Sequence, residues 1–102
     1  MHPHLSTHRA AVAALCQSSG VKRLELFGSA ARDDFDPGHS DFDFLVEFAD
    51  PENGDPLQSY FGLKDALERL LGRPVDLVMP AAVKNPYILA SINRDRQLVY
   101  GP

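Results

Sequence analysis

The sequence predicts an α/β fold, a small mixed β-sheet flanked by helices, on three observations. Residues 40–48, Ser-Asp-Phe-Asp-Phe-Leu-Val-Glu-Phe, alternate so that Phe42, Phe44, Val46 and Phe48 share one face of a strand. Tyr60, Leu63, Leu67 and Leu70 recur at spacings of three and four, which gives a helix one apolar face. Short strand-like and longer helix-like segments take turns along the chain, separated by clusters of turn formers, the order expected of helices layered on one sheet.

In order along the chain, Ser6 or Thr7 is placed to cap a helix running to about Ser19, with Val12, Leu15 and Cys16 inward and Gly20 ending it. Residues 21–27 have strand character and run into Gly28-Ser29, after which residues 30–35 have helical composition. The strand through Asp41 and Asp43 follows a short loop, and residues 50–56 form a second loop rich in Pro, Gly, Asp and Asn. The helix carrying Tyr60 is stopped by Gly72-Arg73-Pro74 before a short strand over residues 75–78. A turn of helix is expected at residues 80–83, a longer helix over 86–95 and a closing strand over 97–100.

One domain spanning residues 1–102 is expected, since 44% hydrophobic content is enough for one core. Ten basic residues against fourteen acidic leave a net charge of −4, and the basic ones are dispersed, which argues against nucleic acid as a direct partner. The lone Cys16 allows no internal disulfide, and no run approaches ~20 apolar residues, so a reduced, cytoplasmic setting away from membranes is expected. His2, His4 and His8 are expected on a loose N-terminal segment with nothing to complete a zinc site. His39 precedes Ser40 in a loop, within reach of a phosphate or simply solvated.

The chemistry concentrates around the acids. Asp41 and Asp43 point the same way from one strand, where like charges repel unless a cation lies between them, and oxygen ligands suit Mg²⁺. Asp76 supplies a third carboxylate if its strand lies beside the first. Alone, Asp-x-Asp is equally a solvated strand end. The upstream block tips the balance: strand, then Gly28-Ser29, then a helix start lets backbone N–H groups and a hydroxyl approach a phosphate, with Arg32 about a turn further on.

With these blocks in hand, the chain resembles the DNA polymerase beta type nucleotidyltransferases, and more closely the minimal nucleotidyltransferase (MNT) antitoxins of HEPN and MNT toxin-antitoxin systems. The resemblance rests on residues 26–32, Leu-Phe-Gly-Ser-Ala-Ala-Arg, on residues 40–46, Ser-Asp-Phe-Asp-Phe-Leu-Val, and on Val75-Asp76-Leu77-Val78. It implies a polymerase beta-like nucleotidyltransferase fold, with Asp41, Asp43 and Asp76 as catalytic metal ligands. Gly28, Ser29, Arg32 and Ser40 would bind nucleotide. Two Mg²⁺ ions about 3.5–4 Å apart are expected, with ATP as donor and a tyrosine of a HEPN-type toxin as acceptor. A non-catalytic antitoxin that neutralises by binding, or a small-molecule nucleotidyltransferase of the antibiotic-modifying kind, are the alternatives. Tyr60, Lys64, Asn85 and Tyr87 are equal candidates for contacts to base or ribose.

Overall fold

Seven core positions on three strands decide the sheet's orientation: Leu24 and Leu26, Phe42, Phe44 and Val46, Val75 and Leu77 all turn to one face and are buried there. In the computed structural model, residues 3–28, 31, 41–49, 56–80 and 83–101 are described. Four strands, β1 (Val21–Phe27), β2 (Phe42–Phe48), β3 (Val75–Val78) and β4 (Gln97–Tyr100), form one sheet in the order β3-β2-β1-β4. β1 is antiparallel to both β2 and β4, whereas β2 and β3 are parallel, so the sheet is mixed as expected. The parallel pair is joined by helix α3 (Pro56–Leu71), because parallel neighbours need a crossover. Leu63, Leu67 and Leu71 of α3, with Val12 and Cys16 of α2 (Arg9–Ser18), cover the apolar face.

A bulge tunes β1. Val21 opposes Phe48 while Arg23 already opposes Glu47, so Lys22 is the extra residue. Inserting one residue shifts the phase of the alternation. Val21, Leu24 and Leu26 therefore all reach the core, although their spacings are three and then two.

The N-terminal helix departs from expectation. It is two helices, α1 (Pro3–Thr7) and α2, broken at His8, whose φ of −104° and ψ of 15° lie off helical values. The His8 amide donates back to Leu5 O at 3.1 Å, and Val12 N donates to His8 O at 2.9 Å. His8, not Ser6 or Thr7, holds the cap position, and no side-chain bond caps α2. Nor is this segment loose: Leu5 is wholly buried in the core. α3 begins at Pro56, inside the stretch expected to be loop, because proline suits the first helical position. Val83 N donates to Pro80 O at 3.2 Å, while residues 81 and 82 of the expected turn lie outside the described residues. Helix α4 (Pro86–Asp95) keeps its expected bounds, with Asn85 Oδ1 accepting from Tyr87 N at 2.9 Å as its cap.

β3 is an edge strand, and two of its outward backbone groups are met by side chains of α3. Glu68 Oε2 accepts from Val75 N at 3.0 Å, and the Tyr60 hydroxyl donates to Leu77 O at 2.6 Å. Tyr60 is thereby removed from the candidates for base or ribose contact. These two bonds flank Asp76 in sequence and hold its strand from the side opposite β2.

Leu5→Ala should destabilise the protein by about 2–5 kcal/mol in denaturant titration; a loose terminus would give no change. Burial pushes the Cys16 thiol up from 9.0 to about 11. The folded state keeps its proton where the unfolded chain releases it, so the thiol's contribution is complete below pH 9 and lost between 9 and 11. Cys16→Ala should flatten that part of the stability profile, measured as unfolding midpoint against pH.

Candidate active site

Across the polar face of the sheet, register fixes the rows. Phe27 opposes Asp43, and Asp43 opposes Asp76. Paired residues on neighbouring strands lie about 4.8 Å apart with their side chains on the same side. The Asp76 that sequence could place only conditionally is thus the direct neighbour of Asp43. Asp43 is half-buried and Asp76 exposed; Asp41, also exposed, stands just before β2 instead of within it. Its amide-bearing neighbour Phe42 donates to Pro74 O at 3.1 Å, which begins the pairing that aligns the two acids.

Gly28, just past the end of β1, packs its backbone against the Asp43 carboxylate. Its φ of 73° lies in the left-handed region, and a Cβ built on it would stand 2.5 Å from Asp43 Oδ2. Only glycine gives the chain this turn and leaves room for the carboxylate. Ala31 N donates to Gly28 O at 3.1 Å, and Gln97 Nε2, at the start of β4, donates to Ala31 O at 3.2 Å. Ala31 is therefore tied to β4 by a residue that the sequence reading did not single out. Gln97 Oε1 is buried there without a hydrogen-bond partner among the described residues. Ser29, Arg32, Ser40 and His39 lie outside the described residues.

Oxygen donors on adjacent strands suit a hard cation in kind. Among the described residues, however, no group of three His, Cys, Asp or Glu side chains is gathered so as to hold a metal ion. What the fold fixes is the pairing of Asp43 with Asp76 beside Gly28. Asn85 caps α4, and Tyr87 is 83% exposed, so the former has a structural task.

Further along the same face lies a cluster that sequence reasoning missed. Glu25, the one buried charged residue among those described, has a side chain only 7% exposed. Arg23 Nε approaches its Oε1 at 3.1 Å, and Arg96 Nε approaches its Oε2 at 3.3 Å. The Arg23 contact is close but poorly aligned, since that buried Nε–H makes no hydrogen bond among the described residues. Alternation of Arg23 and Glu25 on β1 was the available signal; Arg96, beyond α4, gave none.

Gly28→Ala should destabilise the fold by roughly 1–3 kcal/mol, from left-handed strain and the clash with Asp43. Asp43→Ala in the same chain should recover the clash but not the strain. A double-mutant cycle by thermal unfolding should therefore show a nonzero coupling energy.

Residues 8–99 match the family described as "Nucleotidyltransferase domain". The Methanocaldococcus jannaschii protein named "Putative protein adenylyltransferase MJ0128" is 49% identical over 80 residues, which cover 78% of this chain and 76% of that protein. A solved structure described as "Structure of putative minimal nucleotidyltransferase" is 35% identical, with a TM-score of 0.73, covering 91% of this chain and 90% of that one. A tri-AMPylated Shewanella oneidensis HEPN toxin in complex with MNT antitoxin offers a further likeness in fold, at 19% identity and a TM-score of 0.65, over 95% of this chain and 72% of that one. The pairing of Asp43 with Asp76 beside Gly28 is thus carried on a minimal nucleotidyltransferase fold, and the chain belongs to the nucleotidyltransferase family.

Proposed function

We propose that this nucleotidyltransferase moves AMP from ATP, with Mg²⁺, to a tyrosine hydroxyl of a HEPN-type toxin and so silences it as an antitoxin. The observation that carries the proposal is the register pairing of Asp43 with Asp76 beside Gly28. A relative named as a protein adenylyltransferase supports a protein acceptor. The tri-AMPylated toxin held by its MNT antitoxin supports both the kind of acceptor and a reaction that repeats.

Asp41, Asp43 and Asp76 would hold Mg²⁺, which when bound offsets the triphosphate charge and activates an attacking hydroxyl. The residues around them divide the remaining work. Gly28 keeps the end of β1 free of side chain, so that the backbone of the following turn can approach the terminal phosphates. Ser29 and Ser40 donate hydroxyls to phosphate oxygens, and Arg32 adds a planar, charged fork. Asp76, exposed at the rim, receives the tyrosine proton as the new O–Pα bond forms and the Pα–O–Pβ bond breaks, releasing pyrophosphate. Catalysis on this reading comes mostly from positioning and charge neutralisation.

Intact mass spectrometry of a cognate HEPN toxin, incubated with ATP and Mg²⁺, tests the reading. The wild type should raise the toxin's mass by one or more AMP units, and the toxin should stay inactive after separation. Asp76→Ala should slow the transfer by at least roughly 10²-fold. An unshifted mass alongside full neutralisation would leave a binding-only antitoxin as the better account.

A further inference from the structure

Gln97 stands where the fold calls for an apolar side chain. Its place in β4 is opposite Leu26, which is wholly buried, and residues paired across strands turn to the same face of the sheet. Val99 and Tyr100 of β4 pack on the core on that side, whereas Leu98, opposite Glu25, is 38% exposed on the other. A glutamine in such company needs partners for both ends of its amide, since a buried polar atom left alone is unfavourable. Among the described residues only one end is met. Nε2 donates to Ala31 O at 3.2 Å, while Oε1 is buried with no partner there. A methionine or leucine would fill the same place without stranding an acceptor, so packing does not account for the residue.

Its hold on Ala31 does. Ala31 N donates to Gly28 O at 3.1 Å, and the Ala31 side chain packs against the core. Gly28 lies against Asp43 of β2, where any Cβ would stand 2.5 Å from Oδ2. The two ends of the Gly28–Ala31 stretch are thus fixed from different strands, Gly28 by β2 through Asp43 and Ala31 by β4 through Gln97. The start of β4 is itself anchored, because Arg96 Nε approaches Glu25 Oε2 of β1 at 3.3 Å.

We infer, on the adenylyl-transfer reading above, that Gln97 is a positioning residue for the nucleotide: through the Ala31 carbonyl it sets where the Gly28–Ala31 stretch ends, and so how that stretch meets the terminal phosphates of ATP. Gln97 touches neither ATP nor the acceptor. Bond exchange at Pα takes place beside Asp43 and Asp76, on the opposite face of the sheet from Gln97. The β- and γ-phosphates are held alike before and during the transfer, so a looser hold on them raises KM and leaves kcat nearly unchanged.

Gln97→Met and Gln97→Leu are the variants to compare, because both remove the donor and the stranded acceptor but fill the space differently. With a cognate HEPN toxin and Mg²⁺, each should raise the KM for ATP by about tenfold or more, with kcat within about twofold of the wild type. Both should unfold at or above the wild-type temperature. In calorimetric titration with Mg²⁺ and no toxin, each should bind ATP more weakly by about tenfold or more. AMP, which lacks the terminal phosphates, should bind as it does to the wild type. A lower unfolding temperature with unchanged KM makes Gln97 a structural residue and overturns the inference, as do equal losses for ATP and AMP. If the wild type prefers ATP to AMP yet transfers nothing to the toxin, the adenylyl-transfer reading falls, and the titrations of the variants decide the role of Gln97. A wild type that binds neither nucleotide overturns both.

Discussion

Everything at the acid end of the sheet depends on one register: Phe42 against Val75, and therefore Asp43 against Asp76. A slip of one residue would turn each strand's apolar set away from the core, so burial of Phe42, Phe44, Val75 and Leu77 fixes the pairing of the carboxylates. The arrangement sets side-by-side negative charges, unfavourable in themselves, on a scaffold stabilised by apolar contacts on its other face. Hydrophobic burial thereby holds a polar geometry that the polar groups would not adopt unaided.

The same opposition of faces explains why the molecule needs little beyond four strands. One face of the sheet meets α2 and α3 and forms the core. The other carries acids near the end of β1 and an arginine-bound glutamate further along. Leu45 and Ile92 are buried too, yet belong to no part of the main core, and mark where the second face is closed over. Glu25 is tolerated in that setting because two guanidinium groups accompany it; an unpaired buried carboxylate would cost several kcal/mol.

Much of this was legible in the sequence, for physical reasons that differ by element. Strands β2 and β3 announced themselves by alternation, and α4 by its flanking Asn85-Pro86 and its spacing, because local preference and burial agree there. The acid row was legible in part. Parity alone put Asp41 and Asp43 on one side, but the neighbourhood of Asp76 depends on a parallel pairing between distant segments. The break at His8 was hidden because residues 3–18 carry no glycine or internal proline to mark it; tertiary packing of Leu5 decides it. Lys22 as a bulge, Gln97 tying the turn at Ala31, and Arg96 reaching Glu25 are all contacts across the fold, to which a linear pattern is blind.

The hydrogen bonds from Tyr60 and to Glu68 have a consequence outside the site altogether. An edge strand ordinarily offers a row of open N–H and C=O groups on which a foreign strand can assemble, a common start of aggregation. On β3 two side chains of α3 occupy those groups at Val75 and Leu77, in place of a covering strand. Two polar atoms thereby take up part of that border, and a substitution at either position would open it further to growth even where the fold itself survives.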